Sequence, residues 1–259
     1  MIQDTRYLAP LQRLAEIVVE LREKCPWDRE QTIESLRHLT IEETYELSDA
    51  ILAGDTKEIK VELGDILLHI LFYSMIGEEE KQFTFKDVIE ALIDKLIRRH
   101  PHVYGDKNYK TFDEVLENWE KIKGKENRKR PILSGVPQSL PSLIKALRMQ
   151  EKASNVGFDW EDKSGLWNKI KEEIAEFERA ETKKNQEEEM GDLLFTLVNY
   201  CRFAKINPED ALAKANHKFQ SRFEYIEQKA LAEDRVFSEL SPEEMDIYWE
   251  EAKRILNKG

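Results

Sequence analysis

The sequence predicts an all-α protein made of two copies of one helical unit. Three observations predict it. Helix breakers are scarce, with 10 Gly and 8 Pro in 259 residues, while 36% of the residues are charged. Apolar residues recur at helical spacing in one segment after another, and no alternating strand pattern of any length occurs. A pattern of five carboxylates is present twice. The first copy is Glu42-Glu43-x-x-Glu46 followed by Glu62-x-x-Asp65, and the second is Glu172-Glu173-x-x-Glu176 followed by Glu189-x-x-Asp192.

The elements follow in order. Leu11, Leu14, Ile17, Val18 and Leu21 place one apolar face on a helix from about Thr5 to Glu23. Thr32 to Ala53 is a second helix, with Gly54 as its natural C-cap. Asp55 or Thr56 can cap a third, running to about Ile76. Thr84 to Arg99 is a fourth, stopped by Pro101, and Thr111 to about Lys123 is a fifth. Residues 124–141 read as a linker, with a basic run at 125–130 and then Pro131, Gly135, Pro137 and Pro141. Helices resume at Ser142–Ser154, Ser164–Ala180, Lys183–Lys205, Pro208–Leu231 and Pro242–Leu256.

The halves align by more than their acids. One offset of 130 carries Glu42 to Glu172 and Trp119 to Trp249. Gly64-Asp65 matches Gly191-Asp192, Lys95-x-x-x-Arg99 matches Lys218-x-x-x-Arg222, and Trp119-x-x-x-Lys123 matches Trp249-x-x-x-Lys253. Four motifs kept in one order indicate a tandem duplication: a first domain at 1–123, the linker, and a second domain at 142–259. Two copies are too few for a solenoid.

Bulk properties narrow the function. A net charge of −12 argues against binding a nucleic acid polymer or an anionic membrane, which would need a basic face. The longest apolar stretch, Ile66 to Ile76, is interrupted by His69 and is too short to span a bilayer. Cys25 and Cys201 lack metal-ligand spacing, and the opening residues carry no signal-peptide core. A reducing, cytoplasmic setting is expected.

The acids carry the chemistry. Positions i, i+1 and i+4 of a helix lie within about 100° of one another, so Glu42, Glu43 and Glu46 share a side. Glu62 and Asp65 share a side of the next helix. The two arms of the hairpin around Gly54 are nearly equal in length, which brings both acid groups to one level. Gly64 and Gly191 are expected to let the helices approach closely. Carboxylates so placed repel each other unless a cation lies among them, and an oxygen-only set selects Mg²⁺ or Mn²⁺. A solvated acidic face is the ordinary reading of Glu187-Glu188-Glu189 alone, but not of a paired pattern seen twice. A di-iron bundle would need Glu-x-x-His pairs, which neither acid motif has. His69, matched by Thr196, is expected in or near the core.

Lys/Arg pairs one turn apart suit phosphate, and a Trp ring suits a nucleobase. Each alone is also a common structural feature; acids, bases and ring together point to a nucleotide.

These residues resemble a known family. The acid pattern, Cys25-Pro26-Trp27-Asp28, the Arg99–Gly105 segment, Gly157-Phe158-Asp159-Trp160 and Lys214-Ala215-Asn216-x-Lys218-Phe219 are similar to those of MazG nucleoside triphosphate pyrophosphohydrolases, and the similarity spans nearly the whole chain. The resemblance implies tandem MazG-like domains of four to five helices each, packing as bundles in a homodimer. It also implies Mg²⁺-dependent cleavage of an NTP or dNTP to the monophosphate and pyrophosphate, by water attack at the α-phosphorus.

Residue by residue, the resemblance gives Glu173, Glu176, Glu189 and Asp192 to metal. It gives Lys169, Lys218, Arg222, Trp249 and Lys253 to the nucleotide. Glu172 is implied to orient a ligand or assist the water, and Glu172, Glu173 and Glu176 form the catalytic set. The first half keeps Glu43, Glu46, Glu62 and Asp65 for metal, and Lys95, Arg99, Trp119 and Lys123 for substrate. Leu39 stands where the second half has Lys169, so the second half is expected to be the main active site. The alternatives are a narrower dUTP- or dCTP-type pyrophosphatase and a non-enzymatic nucleotide-sensing module.

Overall fold

The computed structural model describes residues 6–111, 114–115, 118–119, 122 and 131–256. Its contacts divide the chain into two compact units, Met1–Ile122 and Lys123–Gly259. No strand occurs among the described residues.

Unit 1 opens with α1 (Leu8–Lys24) and a short α2 (Pro26–Arg29). The sequence reading did not include α2; Pro26 at its first position supplies the fixed φ that starts a helix. Helices α3 (Ile33–Ala53) and α4 (Thr56–Glu79) form the central hairpin. Local chemistry sets both of its ends. Thr32 Oγ1 accepts from the Ser35 amide at 3.1 Å while Ser35 Oγ accepts from the Thr32 amide at 2.9 Å, a closed capping box. At the turn, Gly54 adopts φ 69°, a left-handed conformation that costs glycine little. Asp55 then accepts from the amides of Lys57 and Glu58 at 2.9 and 3.2 Å and starts α4.

Helix α5 (Phe85–Arg99) begins at a second capping box, between Thr84 and Asp87. Pro101 ends it as expected but also opens a short α6 (Pro101–Tyr104). Arg22 ties the unit together, donating to both carboxylate oxygens of Glu79, at 3.0 and 2.7 Å, and to the Gln31 carbonyl at 2.9 Å. The core is Val18, Leu36, Leu71, Phe72 and Ile76, with Leu39 and Leu68 packed against it. Thr5, most of the helix expected at 111–123, Lys123, and residues 124–130 of the expected linker lie outside the described residues.

Residues 131–141 are not a free tether. A 3₁₀ turn at Ile132–Gly135 leads to Val136, which is buried, in contact with unit 2. That unit contains α7 (Ser142–Ser154), α8 (Lys163–Arg179), α9 (Lys183–Phe203), α10 (Pro208–Ala232) and α11 (Pro242–Leu256). Helices α8 and α9 repeat the α3–α4 hairpin. Asp162, Thr182 and Asn207 cap α8, α9 and α10 through their side chains. Helices α10 and α11 close over Ile226, Ala230 and Leu240, with Phe237, Tyr248 and Trp249 packed on them.

A fork at the α10–α11 turn sets the angle of α11. Glu244 accepts from Arg235 Nη1 at 2.7 Å, from Arg235 Nη2 at 3.0 Å and from the Ser241 amide at 2.8 Å. The Arg235 hydrogen bonds hold the Glu244 carboxyl down, from an ordinary 4.5 to about 2, with help from the Ser241 amide. A depressed folded-state pKa contributes stability that is complete above the unfolded value and lost as pH falls through the folded one. Glu244→Gln is therefore expected to lower the melting temperature at neutral pH. The gap from wild type should narrow from about pH 4.5 downward and close near pH 2; a gap independent of pH would contradict this role.

Candidate active site

Both hairpins gather carboxylates. In unit 1, ligand oxygens of Glu43, Glu62 and Asp65 lie within 4.8 Å of one another; in unit 2 the same holds for Glu173, Glu176 and Glu189. The register does this, since each set draws on two facing helices level with each other about a turn. Glu62 and Glu173 are buried, at 7% and 4% exposure. The fourth acid of each expected set stands just outside the tight group. Glu46 faces Glu62 and Glu43 electrostatically, and Asp192 faces Glu189. Glu42 and Glu172 are exposed at the edge.

Burial first, and then the neighbouring carboxylates, push Glu43, Glu62 and Glu189 above the ordinary carboxylate range. Glu43 and Glu62 lie within reach of each other, and their interaction adds to the shift of Glu62. One oxygen of Glu62, Oε2, is buried with no partner. A buried anion cluster with an orphaned oxygen is the electrostatic signature of a cation site. The donors are all hard oxygens, the type that selects Mg²⁺ or Mn²⁺. Oxygens gathered within 4.8 Å of one another are near enough for Glu43, Glu62 and Asp65, or Glu173, Glu176 and Glu189, to share one such ion.

The two sites differ in one cation. Lys169 Nζ donates to Glu172 at 2.8 Å and lies 3.0 Å from Glu173, and these contacts raise its own pKa. In unit 1 the matching Leu39 packs into the core. Lys169 thus sits on the acids, the position from which it can meet a phosphate brought to them.

The glycines beside the aspartates do not do what the sequence suggested. A Cβ built on Gly64 or Gly191 meets no atom within 4 Å, so neither serves close approach of the paired helix. Both are exposed on the outer side of their hairpins. His69 lies where the sequence placed it, buried in unit 1. Its Nδ1 is 3.1 Å from Thr40 Oγ1, which is 2.7 Å from the Tyr73 hydroxyl, and burial holds its pKa down.

The basic and aromatic residues form a second assembly, repeated in both units. Arg222 lies over the Trp249 ring at 5.4 Å, and Arg99 over Trp119 at 5.5 Å. Each is a cation–π pair that fixes a guanidinium. Trp249, the ring expected to meet a base, has Arg222 over it, and its centroid lies 5.4 Å from that of Phe219. Lys218 and Lys95 are exposed one turn before these arginines, and Lys253 pairs with Glu250 at 2.6 Å.

A cavity of about 690 Å³ opens beside the unit 2 acids, and Lys169, Glu173 and Asp192 line one side of it. Aromatic Phe158, Trp160 and Phe195, aliphatic Leu133 and Met149, and the amides of Gln150 and Asn199 also line it. Arg202 braces this wall, ion-paired with Asp159 and donating to Asn199 Oδ1 at 2.9 Å. Neither Gln150 nor Asn199 was singled out from the sequence. The signal was present: an offset of 127 that carries Glu62 to Glu189 also carries Phe72 to Asn199, a core ring replaced by an amide.

Among the described residues no helix is long and apolar enough to cross a membrane. Comparison with known proteins agrees with the site. The MazG nucleotide pyrophosphohydrolase domain matches residues 31–104 and 162–226, one match on each acid hairpin. A Thermotoga maritima protein named nucleoside triphosphate pyrophosphohydrolase/pyrophosphatase MazG is 44% identical over 246 residues, covering 93% of this chain and 95% of that one. An Escherichia coli nucleoside triphosphate pyrophosphohydrolase is 40% identical over 255 residues, covering 94% and 97%. With a family domain found twice and full-length relatives at this identity, the chain belongs to the MazG nucleotide pyrophosphohydrolase family, hydrolases of phosphoric anhydrides.

Proposed function

We propose that the chain is a Mg²⁺-dependent nucleoside triphosphate pyrophosphohydrolase that cleaves NTPs and dNTPs to the monophosphate and pyrophosphate, with unit 2 as the main active site. The carrying observation is the carboxylate cluster of Glu173, Glu176 and Glu189 opening, through Glu173 and Asp192, on a cavity. The names of full-length relatives support the reaction.

Glu173, Glu176, Glu189 and Asp192 would hold Mg²⁺, or Mn²⁺ in its place. The bound ion would neutralise triphosphate charge and polarise the phosphoryl oxygens. Attack by water falls on the α-phosphorus, and a glutamate of the set Glu172, Glu173 and Glu176 takes the proton of that water. Lys169, Lys218, Arg222 and Lys253 offset the charge on the departing pyrophosphate, with Trp249 holding Arg222 in place. In unit 1, Glu43, Glu46, Glu62 and Asp65 form the counterpart metal set, with Lys95, Arg99, Trp119 and Lys123 for the nucleotide. Leu39 deprives it of the cation that Lys169 supplies, so it is the weaker or regulatory copy.

The protein acts as a homodimer in the cytoplasm. Helix α5 supports the dimer: Val88, Ile89, Leu92, Ile93, Leu96 and Ile97 are all exposed, at 38–46%, a continuous apolar face that a second chain would cover. The free thiols of Cys25 and Cys201 suit a reducing compartment.

Product analysis tests the reaction. Purified protein with Mg²⁺ and each NTP and dNTP is expected to yield monophosphate and pyrophosphate. Glu173→Gln/Glu176→Gln should remove at least about 99% of turnover, as losing metal-site chemistry does. Glu43→Gln/Glu46→Gln should retain most of it. Loss divided evenly between the variants would mean two working sites, and no turnover by wild type on any nucleotide would sink the enzymatic reading.

The unit 1 cluster makes a separate prediction about metal. Neutralising one buried acid relieves repulsion but removes a ligand. Glu62→Gln is expected to melt higher than wild type in EDTA and to lose part of the stabilisation that Mg²⁺ gives wild type. A variant less stable in EDTA, with the full Mg²⁺ shift, would remove Glu62 from the metal set.

A further inference from the structure

The cavity of unit 2 has a counterpart in unit 1, and the counterpart is filled. At offsets of 130 on α3/α8 and 127 on α4/α9, unit 1 has Leu39, Leu68, His69 and Phe72 where unit 2 has Lys169, Phe195, Thr196 and Asn199. All four unit 2 residues line the cavity, whereas Phe72 belongs to the unit 1 core, with Leu39 and Leu68 packed against it. The first helix of unit 1 sends fully buried Val18 into that core; the first helix of unit 2 sends Gln150 to the cavity. One fold thus carries a filled core in one copy and, in the other, an open chamber lined largely by apolar and aromatic side chains with two amides among them. Giving up a packed core costs stability, so the open copy needs an occupant to account for it.

Gln150 indicates what the occupant offers. Its side chain is 6% exposed, and Nε2 donates to the Phe195 carbonyl at 2.8 Å. A carbonyl only accepts, so this bond fixes the amide with Oε1 as the unsatisfied end, and Oε1 is buried without a partner. A buried acceptor left unpaired costs about 1–3 kcal/mol unless a ligand donates to it. Asn199 is fixed in the opposite sense: its Oδ1 accepts from Arg202 Nε, which leaves its NH₂ to donate. The exposed rings of Phe158 and Trp160 line the same cavity, as do Glu173, Asp192 and Lys169.

We infer that this cavity is the nucleobase subsite of the unit 2 site, with Gln150 Oε1 accepting from an N–H of the base and the Phe158 and Trp160 rings offering faces to stack on. The inference rests on the nucleotide reading above and adds the residue that reads the base. Adenine, guanine, cytosine and uracil each carry an N–H donor on the pairing edge, and the chamber is large enough for a purine. Gln150 therefore gives affinity for bases as a class and does not choose among them.

The test is binding of AMP, GMP, CMP and UMP against base-free ribose 5-phosphate, by calorimetry on the full chain with Mg²⁺. Wild type should prefer every monophosphate to ribose 5-phosphate. Gln150→Leu should reduce that preference about tenfold or more for all four bases, the equivalent of one buried hydrogen bond. Asn199→Phe writes the unit 1 residue into unit 2, a packing the fold already accommodates, and should abolish the preference. Wild type binding monophosphates no better than ribose 5-phosphate, or binding neither, overturns the inference. So does a folded Gln150→Leu whose preference is unchanged, or a loss confined to one base. Binding requires no turnover, so a protein that keeps this preference yet hydrolyses no triphosphate loses the pyrophosphohydrolase reading alone.

Discussion

Mutual repulsion among buried carboxylates is the constraint around which both units are arranged. Three acids with oxygens inside 4.8 Å, two of them on one helix and the third across a turn or the reverse, are held together only because the hairpin forces them level. The left-handed Gly54 and the Asp55 cap fix that turn in unit 1, and the capping box at Thr32 fixes the start of its first arm. Asp162 and Thr182 fix the helix starts in unit 2. Local sequence chemistry of this kind supplies the rigidity that lets the fold bear an unfavourable charge cluster, whose oxygen donors are of the type that suits a hard cation.

Duplication let the two copies treat the same problem differently. Unit 2 places Lys169 on its acids and keeps a chamber beside them. Unit 1 has no counterpart of that lysine and fills the corresponding positions with Leu39 and Phe72. Its acids, Glu43 and Glu62, are pushed above the ordinary carboxylate range by burial and by each other. The copies agree in the Arg–Trp pair, which both retain. What stayed constant is the acid cluster and the Arg–Trp pair; what diverged is the packing beside them. That division follows a stability–function trade, with the better-packed copy the less open one.

Much of this was legible in the sequence, for reasons that can be named. Helices 33–53 and 142–154 end where their caps and prolines say they should, because capping is a local interaction. The acid clusters were legible because helical periodicity and hairpin symmetry are enough to bring i, i+3 and cross-turn positions together. Gly64 and Gly191 were misread because closeness between helices is a tertiary property: the same residue on the other side of the helix faces open space. The short helices at Pro26 and Pro101 were missed because a proline that ends one helix is equally suited to begin the next. Gln150 was invisible because a lone amide on an amphipathic helix has no pattern; only its burial and its bond to Phe195 give it meaning.

The central claim is that the carboxylate cluster of unit 2 is a metal site built to receive a triphosphate. Anomalous diffraction from crystals grown with Mn²⁺ and a non-hydrolysable α,β-imido nucleotide tests it most directly. The account predicts manganese enclosed by Glu173, Glu176, Glu189 and Asp192, with the triphosphate between that metal and Lys169. Manganese bound elsewhere, or a triphosphate seated away from these acids, would contradict it.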